Sequence, residues 1–416
     1  MAQRGPVLGL DFGTSNSAAG YLRDGKPQLI EMMPGQTTLP TTFFFEFDTR
    51  KTLIGEAANR ALLDGIEGRF MRALKRVLGT PLMHETRQIL NERVTFVEII
   101  ARFLSHIKTR AEAQAGVTFD RVLSGRPVVF HGANDPREAQ AEADLRACYL
   151  AAGFKEVDFL PEPEAAAIAS GALETAGEIG LIVDIGGGTS DFSVFRSTRG
   201  GVSVLANHGV RIGGTDFDRA ISIERVMPLL GKGSELRKVM GPGRSPVPNA
   251  IFNDLATWEK IPFLYTPQNR RRVDEMRRLA LEPEKLARLA TLLEDELGHE
   301  VAFAVERGKI AANAGEGTSV ISLDPVERGL CAALPPDVLN ACLSSQAQVL
   351  RAGLRETLCL SGVRAQGIDR VIYVGGSSLM SMVSEAVKAE CPDARPSFSE
   401  VFTAVTDGLA IAAARR

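Results

Sequence analysis

One short pattern occurs twice in this chain and limits what it can fold into. Residues Val7–Ser17 read VLGLDFGTSNS, and residues Leu181–Ser193 read LIVDIGGGTSDFS. Each is an apolar run ending in an Asp, then one apolar residue, then Gly and hydroxyl residues. The two acids, Asp11 and Asp184, stand nearly half of the 416-residue chain apart. Glycine has no Cβ, so backbone N–H groups can converge on an anion at close range. Gly186-Gly187-Gly188 suits a phosphate chain, and Gly13-Thr14-Ser15 does the same with added hydroxyl donors. Two carboxylates beside a polyphosphate would repel it unless a cation intervened. Mg²⁺ resolves this, because it bridges phosphate and carboxylate while keeping several waters. One copy alone reads best as a Gly-rich turn without ligand. Two matching copies predict a duplicated domain that holds a nucleotide's phosphates between its halves.

The remaining organisation supports duplication. A chain of 416 residues is too long for one core, which predicts two domains. The first copy continues as strand Ser15–Arg23, an Asp24-Gly25 turn and strand Pro27–Met32; Asp-Gly between apolar runs is a tight hairpin signal. The second continues as Asp191–Arg196, a turn at Gly200-Gly201, and Val202–Ala206. A second pair of echoes, DRVLSGRPVVF from Asp120 and DRVIYVGGSSL from Asp369, predicts a strand, a tight turn and a helix in each half. Such strand ends are where open α/β sheets place ligands. Helical patterns cover Glu92–Ala115, Arg137–Ala152, Pro163–Glu174, Glu284–Ala314, Pro335–Ser361, Ser377–Glu390 and Phe402–Arg415. The boundary is expected between Pro161 and Gly180.

Composition narrows the classes. Net charge is −3, with 44% apolar and 24% charged residues, so nothing global points to nucleic acid or an anionic membrane. No signal peptide or bilayer-spanning stretch stands out. The 5 cysteines are scattered without CxxC spacing; they are expected as reduced thiols, mostly buried, in a cytoplasmic protein without a zinc site. Pro228–Gly298 reads as a solvated helical elaboration, with a loop at Gly241–Pro248 and an Arg-dense stretch at Asn269–Arg278. Acids soon follow the arginines, which weakens a nucleic-acid reading. Gly20–Pro27 nearly spells a Walker A loop, but Pro27 replaces the Mg²⁺-binding hydroxyl and the stretch fits a hairpin.

Taken together, these residues resemble the nucleotide-binding part of the heat-shock-protein-70 (DnaK-like) family, within the actin-like ATPase superfamily. Short YegD-like chaperones are the most similar type. GLDFGTSNS (Gly9–Ser17) and DIGGGTSDFSV (Asp184–Val194) match the two phosphate loops. IGGTDFD (Ile212–Asp218), LPEPEAAAIASG (Leu160–Gly171) and VGGSSL (Val374–Leu379) resemble three further family segments. Sugar kinases and actins share the phosphate loops, so it is five motifs in order that are specific. The resemblance implies an actin-like fold: two duplicated lobes, 1–175 and 176–416, each with a mixed five-stranded sheet flanked by helices, and an insertion at about 228–298.

It also implies roles. Lys75 falls on the catalytic lysine, which stabilises charge on the terminal phosphate. A solvated helix lysine is the bland alternative. Glu162 falls on the glutamate that orients water. Asp11 and Asp184 would hold Mg²⁺ through waters, and Asp184 would help polarise the nucleophile. Thr14, Ser15 and Thr189 would donate to phosphate. Glu306 and Lys309 fall on the ribose-binding pair, although Glu and Lys at this spacing are common on exposed helices. Gly213, Gly214, Gly375, Gly376 and Ser377 would let backbone approach the nucleotide. Where the family sandwiches adenine between arginines, this chain has Ile310 and Leu379, which predicts weaker or less selective base binding. The family's peptide-binding domain is expected to be lacking, so chaperone activity stays open. The expectation is therefore slow Mg²⁺-dependent hydrolysis of ATP to ADP, driving lobe closure as a signal to an unidentified client or co-chaperone. Alternatives are a small-molecule kinase, an actin-like filament protein and a binding-only pseudo-ATPase.

Overall fold

The computed structural model describes residues 5–131, 135–170, 176–198, 201–238, 241–315, 319–398 and 403–414. The chain divides into two compact units: Met1–Gly214 with Ala347–Arg416, and Thr215–Gln346.

The first unit holds two sheets of one plan. In the first, strand Val7–Phe12 runs antiparallel to Asn16–Arg23, which runs antiparallel to Lys26–Leu29. On its other side Val7–Phe12 lies parallel to Arg121–Arg126, which lies parallel to Glu156–Pro161. A short strand, Thr38–Pro40, also pairs with Asn16–Arg23, so this sheet has six strands rather than five. In the second, Ile179–Ile185, Ser190–Thr198 and Gly201–Val210 form the antiparallel meander, and Arg370–Val374 and Arg395–Ser397 are the parallel strands. The strand order is the same in both. Parallel neighbours need crossovers; helices Arg137–Ala151 and Ser381–Glu390 supply those to Glu156–Pro161 and Arg395–Ser397.

Local chemistry accounts for these elements. Asp24 and Gly25 both have positive φ, 52° and 76°, which suits a two-residue hairpin turn, so the Walker-like stretch is indeed a hairpin. Helical periodicity from Glu92 begins later than expected. Glu92–Val94 is a strand, and the helix Phe96–Ala115 starts behind a Thr95/Glu98 capping box that closes both end donors. Leu123 and Leu160 of the first sheet, Ile182 and Ile372 of the second, and Leu409 share one core. Leu409 belongs to helix Ala404–Ala413, where Gly408 lies so near the Ala165 carbonyl that no Cβ would fit.

The second unit has its own core. Phe252, Ile261, Val273, Leu286 and Leu289 are fully buried, and Trp258 packs edge-on against Phe303 at 5.0 Å. The region expected as a solvated elaboration thus buries a substantial apolar interior. Its Gly241–Pro248 segment is not all loop: Arg244–Pro246 pairs with Glu235–Arg237 in a two-stranded ribbon, whose edges tolerate proline. The expected helix over Glu284–Ala314 is two, Pro283–Glu294 and Gly298–Ala314, broken where Glu296 takes φ 57°. The arginines of helix Pro267–Leu279 are partly paired, Arg270 with Glu296 and Arg277 with Asp274.

All five cysteines are free thiols, but only Cys148 and Cys391 are buried, which corrects the expectation for most of them. Cys331 sits on a two-stranded edge ribbon and Cys359 on an outward helix face, where packing makes no demand on them. No helix among the described residues is long and apolar enough to cross a membrane. Helix Glu162–Ala169 covers part of the stretch expected over Pro163–Glu174. It ends at Ala169; the expected stretch from 171 onward, the expected boundary at 175, Gly200, Phe402 and Arg415 lie outside the described residues.

Candidate functional site

The two acids of the repeated pattern each occupy the next-to-last position of a central strand, Asp11 on Val7–Phe12 and Asp184 on Ile179–Ile185. Beyond them the chain turns sharply. Gly186 N–H donates to the Thr189 carbonyl at 3.0 Å, closing the second loop on itself. The first loop is anchored through Ser15, whose carbonyl accepts from Thr41 N–H at 2.8 Å. The loops meet, because a Cβ on Gly187 would overlap the Ser15 hydroxyl. Gly214 N–H donates to the Gly186 carbonyl at 2.9 Å, and a Cβ on Gly213 would come within 2.6 Å of Gly188 N. Gly375 takes φ 76°, and a Cβ there would press to 3.0 Å from Asp184 Oδ1. Ser377 Oγ packs against Gly214. One unit thus brings together both phosphate loops, Gly213, Gly214, Gly375, Gly376 and Ser377. Leu379, near them in sequence, is 42% exposed.

Lys75 reaches this cluster from a short 3₁₀ helix, Leu74–Val77, entered through Ala73 at φ 62°. Its Nζ donates to Glu162 Oε1 at 2.7 Å, with side chains only 9% and 12% exposed. The solvated-lysine alternative is therefore wrong. Glu162 opens helix Glu162–Ala169, where the positive end of the helix dipole favours a carboxylate. Asp11 lies beside it, since both approach the same face of Gly125.

The electrostatics are strained. Burial, then the Glu162 carboxylate, pushes Asp11 up to about 7, against the pull of Lys75. Asp184 is raised well above the usual carboxylate range by burial, Glu162, Asp191 and Asp11. Burial and Glu162 push Asp191 up to about 8. Burial alone would lower Lys75, but Glu162, Asp11 and Asp184 raise it. One ammonium thus faces four carboxyl groups in a place with little water. A dication fits that donor set, and Asp191 Oδ1 is buried with no hydrogen-bond partner among the described residues. Among the described residues no three His, Cys, Asp or Glu are placed to chelate a metal directly. A cation here would be held through water and phosphate oxygens.

The other three anticipated residues lie in the second unit, on helix Gly298–Ala314. Lys309 is buried and pairs with Asp218 at 2.7 Å, so it is not the exposed helix lysine of the bland reading. Glu306 is half-buried and Ile310 is 60% exposed.

The sequence reading missed Asp191, Arg76 and Arg211. Asp191 stands opposite Asp184 in the strand register, where the first copy has Ala18 opposite Asp11. Aligning the two copies with their partner strands would have exposed it. Arg76 and Arg211 carry no local signal; only the fold brings them to Thr14 and Gly188.

A family model described as Hsp70 protein matches residues 7–228. The chain belongs to the Hsp70 family. Its fold is accordingly the actin-like ATPase fold, with both phosphate loops inside the matched stretch. Chaperone protein DnaK of Ureaplasma urealyticum is 34% identical over 218 residues, which is 52% of this chain and 34% of that protein. DnaK of Metamycoplasma hominis is 33% identical over the same share of each chain. DnaK of Mycoplasma mobile is 34% identical over 228 residues, 54% of this chain and 35% of its own. These matches span about a third of the relatives' length, and the family model leaves most of the second unit outside the residues it matches.

Proposed function

We propose that this chain binds Mg·ATP at the two phosphate loops and hydrolyses it slowly. The observation that carries this reading is the buried Lys75–Glu162 pair among three further carboxyl groups, at 2.7 Å. A charge so costly to bury is worth keeping where negative charge develops during a reaction. Lys75 stabilises the charge growing on the terminal phosphoryl oxygens. Glu162, fixed by Lys75, orients the attacking water and accepts a hydrogen bond from it. The water oxygen bonds to the terminal phosphorus as the bond to the bridging oxygen breaks, leaving ADP and orthophosphate. Thr14, Ser15 and Thr189 donate hydroxyls to phosphate, and the glycines admit its backbone contacts. Asp11 and Asp184 would hold Mg²⁺, which when bound neutralises phosphate charge and positions the chain of phosphates. Relief of the crowded carboxylates supports that assignment.

Turnover is proposed to change the closure of the lobes 1–175 and 176–416, a chaperone-like switch read by a protein partner. A YegD-like type and a cytoplasmic site follow the same resemblance. The exposed aliphatic side chain at Leu379 supports weak selection of adenine. The Lys75→Ala variant tests the core of the reading. It is expected to bind Mg·ATP while losing turnover by roughly 100-fold or more in single-turnover assays. Turnover near that of the unaltered protein overturns it.

A further inference from the structure

Lys75 stands on an element too short to hold it in place. Helix Leu74–Val77 is a 3₁₀ turn of 4 residues, and such turns carry poor hydrogen bonds. What holds its exit comes from another part of the chain. Gly79 N–H donates to Asp144 Oδ2 at 2.8 Å. Asp144 lies midway along helix Arg137–Ala151 and is 1% exposed. The Leu78 carbonyl, which can only accept, takes a hydrogen bond from His131 Nε2 at 2.6 Å. Gly79 has φ 77°, and a Cβ there would stand 2.6 Å from the Arg137 carbonyl oxygen. Glycine is what lets this segment lie against the helix.

Asp144 is fully engaged with the same segment. Its Oδ1 accepts from His84 Nε2 at 2.9 Å and from Gln140 Nε2 at 2.7 Å. Gly79 and His84 flank the next 3₁₀ turn, Pro81–Met83, so one carboxylate ties both ends of the stretch that follows Lys75. Among the described residues no Lys or Arg pairs with Asp144. A buried acid without such a cation is costly, and an apolar side chain of similar size often serves stability as well or better. Its buried neighbours on the helix, Ala141, Leu145 and Cys148, are apolar, so packing alone does not ask for an acid there.

We infer that Asp144 is a positioning residue for Lys75. Through Gly79 it fixes the exit of the 3₁₀ turn, which keeps Nζ against Glu162. It acts through the backbone and makes none of the phosphate contacts proposed above. Its effect on turnover rests on the hydrolysis reading, whereas its hold on Lys75 can be measured without nucleotide.

The test compares the unaltered chain with Asp144→Leu, Asp144→Ala and Asp144→Asn, each alone and combined with Lys75→Ala. In the first arm, reductive methylation with formaldehyde is followed at Lys75 by peptide mass spectrometry. The Lys75 side chain is 9% exposed; Asp144→Leu is expected to raise its labelling rate by about tenfold through local opening, and Asp144→Asn by little. In the second arm, single-turnover hydrolysis of Mg·ATP should fall by about 10–100-fold in Asp144→Leu, the order expected for a displacement of about 1 Å. Mg·ATP affinity should stay within about threefold, because the phosphate loops are held by other bonds. Asp144→Asn should recover most of the rate, since its oxygen still accepts from Gly79 while Gln140 turns its amide and His84 changes tautomer. Added to Lys75→Ala, Asp144→Leu should cost no further turnover, because two changes acting on one group do not add. Equal losses with and without Lys75 overturn the inference, as does an unchanged Lys75 labelling rate in Asp144→Leu. Loss of the native fold in both Asp144→Leu and Asp144→Ala assigns Asp144 to stability and overturns it too. If the unaltered chain does not hydrolyse ATP, the function proposed above falls, and the labelling arm decides the hold on Lys75 by itself.

Discussion

The two phosphate loops match in sequence pattern and differ in physics. In the first, Asp11 faces Ala18 across the strand pair, and the loop that follows is tied to Thr41 through Ser15. In the second, Asp184 faces Asp191, and the loop is closed by its own Gly186–Thr189 bond. The second copy therefore carries one more buried carboxyl group at the same position in the register. Burial and Glu162 push both Asp11 and Asp184 above the usual carboxylate range, and only Asp184 carries the further push of Asp191. The comparison teaches that a repeated motif fixes where the two acids stand, whereas burial and neighbours from elsewhere in the fold set their electrostatics.

Making the halves alike is the strongest way to break this comparison. Ala18 is buried, so Ala18→Asp puts a fourth acidic oxygen pair beside Asp11 without a new cation. It is expected to destabilise the protein by about 3–5 kcal/mol, the usual cost of an uncompensated buried charge, read from urea unfolding. A change under about 1 kcal/mol would mean that the first loop is wetter than its burial implies. Next in size are the acids themselves. Asp184→Asn is expected to raise the Mg²⁺ concentration needed for turnover by roughly 10–100-fold, and Asp11→Asn by less. Equal effects would remove the asymmetry.

A smaller effect concerns pH. The folded chain holds Asp11 and Asp191 protonated up to about 7 and about 8, against an ordinary value of 3.8. The folded state therefore binds more protons than the unfolded state between about pH 4 and pH 8, and stability falls as pH rises through that window. Nucleotide-free protein should melt several degrees lower at the top of the window than at its middle. Asp191→Asn should flatten the upper part of the curve, and saturating Mg·ADP should do the same. An unchanged slope in Asp191→Asn would assign the titration elsewhere. The smallest effect is expected at Leu379→Arg, which offers a base a guanidinium plane. ATP affinity should improve by a few-fold relative to GTP, in line with about 0.5–2 kcal/mol for such contacts. No change in that ratio would separate Leu379 from the base.

Much of this molecule can be read from local pattern. The Asp24-Gly25 turn, the two meanders, the parallel strands opened by Arg121 and Arg370, and most helices follow from short-range propensity and periodicity. The errors are equally physical. A capping box moved a helix start past Glu92, a positive φ at Glu296 split a helix, and a strand formed inside a stretch rich in Gly and Pro. Each was settled by hydrogen bonding that periodicity does not encode.

By itself the sequence determined the repeated Asp-and-glycine strands and the membership that five ordered motifs suggest, because those signals are backbone chemistry within a few residues. Only the tertiary structure decided that Lys75 is buried on Glu162, that Asp191 burdens one loop alone, and that Arg76 and Arg211 share a cavity. Those facts depend on burial and on charges brought together from distant parts of the chain, and electrostatic energy is set by distance and desolvation rather than by position along the sequence.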